Sequence, residues 1–145
     1  MLPSPIPAFL KYLFTILRIS IGWHFLFEGI AKIFTPNWSS TSYLLNSSGP
    51  LASIFYALAQ NKLILYLIDY SIIFGLIVIG ICLFVGMGTR LAAFAGAGLL
   101  LLFYASSPPL QSLPIGYGVE GHYLIVNKNL IELIMLLILG FLALS

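Results

Sequence analysis

From Leu63 to Val85 the chain runs for 23 residues with a single charged side chain, Asp69. A helix needs about 20 apolar residues to cross the hydrocarbon core of a bilayer, so this run fits one crossing. Three further apolar runs accompany it, at Phe9–Phe34, Leu91–Tyr104 and Leu130–Leu144. The last two are short, and flanking residues such as Gly88, Thr89, Arg90 and Asn127 to Asn129 complete them. Lipid leaves helices and closed barrels as the only spanning forms. These runs are continuous rather than alternating, which argues against barrel strands. The sequence therefore predicts an all-α polytopic membrane protein, a bundle of four transmembrane helices, with residues 1–145 forming one domain.

Composition narrows the function classes. Hydrophobic residues make up 61% of the chain and charged residues 7%, with six Lys plus Arg and four Asp plus Glu. A soluble domain carries roughly 25% charged residues, so ten charges cannot coat a water-facing surface. A soluble enzyme is excluded on that ground. A nucleic-acid partner is excluded as well, because it requires a basic stripe to neutralise phosphates. The single cysteine, Cys82, rules out an intramolecular disulfide or a CxxC pair and reads as a small buried hydrophobe. The first run is too long for a signal peptide, contains Arg18, His24, Glu28 and Lys32, and lacks an A-x-A site.

The connections are unequal. Gly86–Arg90 makes a tight turn with Thr89 as the expected N-cap. Residues 35–62 hold Pro36, Trp38 and a Ser-rich stretch. The apolar segment Pro50–Ala59 that follows predicts a short helix lying in the membrane interface. Residues 105–128 hold Pro108, Pro109, Pro114, Gly116, Gly118 and Gly121, which reads as an irregular loop with His122 as a solvated residue. Alternation puts both long connections on one side of the membrane, with the termini and the tight turn on the other. Lysines and arginines fall on both sides, so charge alone sets no orientation.

Ionisable residues inside a span are costly and read as functional by default. Measured from Arg18 at about 100° per residue, His24, Glu28 and Lys32 fall near 240°, 280° and 320°. The four share one face of helix one, with Trp23 opposite. Depth adds a second constraint. From the long-loop side, Glu28 lies about 9 Å inside the membrane, Asp69 about 10 Å and Glu132 about 7 Å. Three acids on three helices thus share one level, with Lys32 and Lys128 just above and His24 just below. This predicts a single polar cluster inside the bundle, covered by the two long loops. Arg18 stands apart in the other half, near Arg90. The competing bland reading is that these groups pair only to lock helices together. The small residues Ala92, Ala93, Ala95, Gly96, Ala97 and Gly98 read as a helix-packing stripe. Two histidines with no cysteine nearby make no zinc site, so no metal is expected.

Three segments together resemble the DoxX family of small four-helix membrane proteins. They are Arg18–Lys32 (RISIGWHFLFEGIAK), Gly86–Ala93 (GMGTRLAA) and Tyr123–Glu132 (YLIVNKNLIE). The resemblance implies a bacterial inner-membrane protein with cytoplasmic termini and periplasmic long loops. It implies a place beside quinones, in sulfur or oxidative-stress redox chemistry. The residues it carries over are Arg18, His24, Glu28, Lys32, Arg90, Asn129 and Glu132.

Three functions compete. The first is a subunit of a quinone-linked redox system, with Glu28, His24, Asp69 and Glu132 handling protons. Arg18, Lys32, Arg90, Lys128, Asn129, Tyr66 and Tyr70 would then be ligand-binding groups, and Phe25 and Phe27 further aromatic walls. Quinone is the one cofactor this reading calls for. The second is a non-enzymatic anchor or assembly subunit for a redox or envelope complex. The third is a protomer of a small-solute or proton-coupled transporter, against which stand the short chain and the lack of inverted repeats. The partners expected are the lipid bilayer, a redox partner subunit or a second copy of the chain. Whether the chain is an enzyme is left open by the sequence.

Overall fold

The computed structural model describes residues 6–106, 122–123 and 125–143, the side chains of His122 and Tyr123 excepted. The elements are α1 (Ala8–Phe34), α2 (Thr41–Leu45), α3 (Ala52–Gln60), α4 (Lys62–Val85), α5 (Thr89–Ser106), β1 (His122–Tyr123), β2 (Val126–Asn127) and α6 (Lys128–Leu142). α1, α4 and α5 are long and apolar enough to cross a membrane. α6 has 15 residues, about 22 Å of helix, which by itself is shorter than a hydrocarbon core of about 30 Å.

The helix boundaries follow from their caps. Asn61 opens α4 by accepting from the backbone N–H groups of Leu63 and Ile64 at 3.1 and 3.3 Å. Asn127 opens α6 by accepting from Leu130 N–H at 3.0 Å. Gly86 closes α4 in the left-handed region at φ 90°, and its N–H donates to Cys82 O. Thr89 does not cap α5 as expected. It is the first helical residue, and the carbonyl of Gly88 accepts from Ala92 N–H. The Ser-rich stretch holds a helical turn, α2, that the sequence reading leaves out. The C-terminal end of the stretch expected as irregular loop carries a short antiparallel ladder, His122 opposite Asn127. Pro108, Pro109, Pro114, Gly116, Gly118 and Gly121 lie outside the described residues.

Two helix pairs build the body. α1 packs most extensively on α4, and α5 on α6. The first pair meets backbone to backbone: a Cβ on Gly22 would lie 2.6 Å from Phe84 N, and one on Gly80 would lie 2.6 Å from Leu26 N. In the second pair, Gly140 faces the Phe94 ring and Gly96 faces Leu136. Four of the six small residues expected to pack, Ala92, Ala93, Gly96 and Ala97, are buried, whereas Ala95 and Gly98 are exposed. Phe25, Leu83 and Leu136 are fully buried where the pairs join. Close packing of this kind holds helices together where lipid supplies no hydrophobic drive between them.

Candidate functional site

Above this apolar centre, toward the long-loop side, a cavity of about 540 Å³ opens between α1, α4, α5 and the start of α6. Its apolar wall is formed by Phe25, Ile72, Leu76, Leu100 and Phe103, and its polar wall by His24, Glu28, Lys32, Lys128 and Asn129.

The polar wall is a connected set. Lys32 Nζ donates to Glu28 Oε2 at 2.7 Å, one helical turn apart. His24 Nε2 lies 3.8 Å from Glu28 Oε1 and 2.6 Å from Lys128 Nζ. A lysine ammonium has donors only, so Nε2 accepts and a neutral ring carries its proton on Nδ1. That nitrogen lies 3.0 Å from Glu132 Oε1, off the line of an ideal ring N–H bond. Glu132 Oε2 is buried and has no hydrogen-bond partner among the described residues. Two carboxylates and two ammonium groups balance, so the set carries no formal surplus charge around a neutral imidazole.

The outer wall is the strap between α1 and α3, residues 35–51, with Trp38, Ser39, Ser40, Ser42, Tyr43 and Asn46 on the cavity. The strap is pinned at several points. Ser40 donates through its backbone N–H and its hydroxyl to Asp69 Oδ1. Tyr43 OH donates to Phe103 O at 2.7 Å. The Ser47 hydroxyl and the Ser48 N–H both donate to Ser106 O, and Tyr56 OH donates to Ser47 O. Lys32 Nζ sits 5.4 Å from the centre of the Trp38 ring.

The site residues expected from sequence therefore divide. His24, Glu28, Lys32, Lys128 and Glu132 come together, with Asn129 beside them. Asp69 turns to the strap. Arg18 donates to Leu83 O at 2.6 Å at the opposite end of α4, and Arg90 is exposed on the first turn of α5. Tyr66 and Tyr70 are 64% and 70% exposed and, like the exposed Phe27, do not line the cavity. The aromatic walls are instead Phe25, Phe103, Trp38 and Tyr43. The last three were missed because the strap that carries two of them has no periodicity to place it. Among the described residues no group of three His, Cys, Asp or Glu side chains could hold a metal ion.

The sequence model of the DoxX family matches residues 13–106, about two thirds of the chain. The chain belongs to the DoxX family. The family is one of small membrane proteins, and the three apolar helices agree with it. In this DoxX chain the matched span holds α1, the strap, α4 and α5. It stops short of α6, so Lys128, Asn129 and Glu132 enter the site on geometry alone. No curated protein and no solved structure matches the chain at a significant level.

Proposed function

We propose that this DoxX chain is a small inner-membrane subunit of a quinone-linked redox system, with the cavity beside His24 as its quinone site. One observation carries the reading: a cavity of about 540 Å³ has an apolar wall on one side and a His24-centred set of donors and acceptors on the other. Ligand pockets are typically 300–1,000 Å³ and mostly apolar, with a few placed polar groups. The residues present fit a quinone head. Phe103 offers apolar contact, with the buried Phe25 as part of the same wall. Lys128 offers a donor for a carbonyl oxygen, and Glu132, behind the ring of His24 and with one oxygen unpartnered among the described residues, can hold a proton there. The chemistry such a group supplies is exchange of two electrons and two protons. The chain's own part is to bind the head, exclude water with the strap and hold protons at Glu28 and Glu132. Electrons would come from a redox partner subunit.

The same reading takes α6, with its flanking residues, as a fourth span. α3 then lies in the interface, consistent with its apolar sequence and its lack of a buried residue. The termini are cytoplasmic and the long connections periplasmic.

The test is titration of a short-chain quinone into purified protein, read by Trp38 fluorescence in a Trp23→Phe background. Saturable quenching that weakens in Glu28→Gln is expected. No saturable quenching would sink the quinone site.

The second reading, a non-enzymatic anchor or assembly subunit, draws on the pairing of Glu28 with Lys32 within one helix. It expects a co-purifying partner that survives Glu28→Gln unchanged. The close apolar packing of Phe25, Leu83 and Leu136 beneath the cluster weighs against a transport path.

A further inference from the structure

We propose that the seam between α1 and α6 is a lateral gate, latched by His24, through which a membrane-dissolved amphiphile with an uncharged head reaches the cavity. The proposal rests on the cavity being a ligand site, and it stands apart from whether that ligand is a quinone.

Packing separates this seam from the others. α1 meets α4 backbone to backbone at Gly22 and Gly80, and α5 meets α6 at Gly140 and Gly96. α1 and α6 have only sparse backbone contact. Among the described residues the short polar contacts across the seam are made by one ring, His24 Nε2 to Lys128 Nζ at 2.6 Å and His24 Nδ1 to Glu132 Oε1 at 3.0 Å, and Glu28 adds a longer-range attraction to Lys128. The cavity lies directly behind that ring, lined by His24 and Glu28 from α1 and by Lys128 and Asn129 from α6.

Among the described residues the alternative way in is past the strap, and it is far better fastened. Asp69, Phe103 and Ser106 hold the strap from two different helices. Opening that route breaks several hydrogen bonds, whereas the short contacts holding the seam converge on the His24 side chain. A rotamer change of a ring that is 27% exposed is fast compared with unlatching a strap.

The chemistry of the seam selects the class of ligand. The Glu28 side chain is 43% exposed at a level where lipid tails would otherwise meet it, an arrangement that hydrocarbon disfavours. A ligand with hydrogen-bonding atoms on its head and an apolar tail suits both parts of the seam. The head meets Lys128 and His24, and the tail stays in the bilayer. Glu28 and Glu132 offset Lys32 and Lys128, so no surplus charge draws an ion.

The experiment places a nitroxide label at Leu76→Cys in a Cys82→Ala chain held in phosphatidylcholine nanodiscs. Leu76 is 4% exposed and lines the cavity. Collisions with oxygen, which dissolves in lipid, are compared with collisions with a water-soluble nickel chelate. The gate expects oxygen to dominate, and His24→Ala to raise oxygen collisions roughly twofold or more by shifting the seam toward its open state. Asp69→Ala should raise nickel collisions and leave oxygen collisions unchanged. Dominance of nickel in the parent chain, or no response to His24→Ala, overturns the gate. A label at Leu100→Cys, on the same wall, gives the same reading if the Leu76 label disturbs folding. No quinone is present, so failed quinone titration with an intact oxygen response retires the quinone site and leaves the gate.

Discussion

Ser40 sets both its backbone N–H and its hydroxyl on one oxygen of Asp69, at 2.8 and 2.5 Å. Asp69 is only 9% exposed, about two turns into the most apolar helix of the chain. A buried carboxylate is costly unless hydrogen bonds compensate it. Here the compensation comes from a strap residue 29 positions earlier in the chain. This acid therefore couples the outer wall of the cavity to α4, while Glu28 and Glu132 face each other across His24.

Asp69→Ala leaves two donors of Ser40 unpaired and should lower stability by about 2–3 kcal/mol. Asp69→Asn keeps an acceptor at the same place and should cost under about 1 kcal/mol. Thermal unfolding in detergent reads the difference, and limited proteolysis between residues 35 and 48 locates it. Equal losses in the two variants would mean that the charge, and not the strap, is what α4 needs at this position.

The contrast between Asp69 and Glu132 also marks how far the sequence could be read. Helix ends, depth and the shared face of His24, Glu28 and Lys32 all come from period and rise, which are local properties. These quantities pair α1 with α6, whose His24 and Glu132 lie 3.0 Å apart. They could not say which way a side chain at a given depth turns, because the deciding partner of Asp69 is on a strap with no repeating pattern. Tyr66 and Tyr70 lie away from the cavity for a related reason. An aromatic near a membrane interface satisfies its ring in lipid as readily as in a cavity, so residue type alone did not choose. Arg18 was legible as an outlier, but its partner is a backbone carbonyl, and a carbonyl leaves no mark in a sequence.

That carbonyl yields a second expectation. Arg18 Nη1 donates to Leu83 O in the last turn of α4, where a cation also favours the helix dipole. Its guanidinium packs over Gly86, so a Cβ there would lie 2.5 Å from Nη1. Gly86→Ala meets both the left-handed backbone at φ 90° and the guanidinium, and should cost about 2 kcal/mol or more. Gly88→Ala, at φ 61° in open space, should cost about 1 kcal/mol. Reversal of that order in thermal melts would remove Arg18 from its capping role.

Glycines inside the helices divide in the same way. Gly80→Ala pushes a methyl into the backbone of Leu26 and should destabilise by about 1–3 kcal/mol through overpacking. Gly75→Ala and Gly98→Ala meet nothing within 4 Å and should be neutral or stabilising by about 0.5–1 kcal/mol from helix propensity. Melting temperatures of the three single variants check this. A destabilised Gly98→Ala would point to a contact between copies of the chain on that face of α5.

Glu28 and Lys32 form the remaining pair, and the two partners should not be equivalent. Lys32 lies in the last turn of α1, where the helix dipole favours it and its stem can carry the ammonium toward water. Glu28 lies a turn deeper and has no such outlet. Lys32→Met leaves Glu28 with the Lys128 ammonium across the seam and with His24 at 3.8 Å, whereas Glu28→Gln leaves a lysine that can still reach the interface. The lysine substitution should therefore cost more than the glutamate substitution, and the double variant should recover part of the loss. Because Glu28 is 43% exposed, the coupling from a double-mutant cycle should be modest, about 0.5–1 kcal/mol. A cycle that closes at zero, with Lys32→Met and Glu28→Gln equally harmless, would mean that the 2.7 Å contact holds nothing in place and that Glu28 is free to serve the cavity alone.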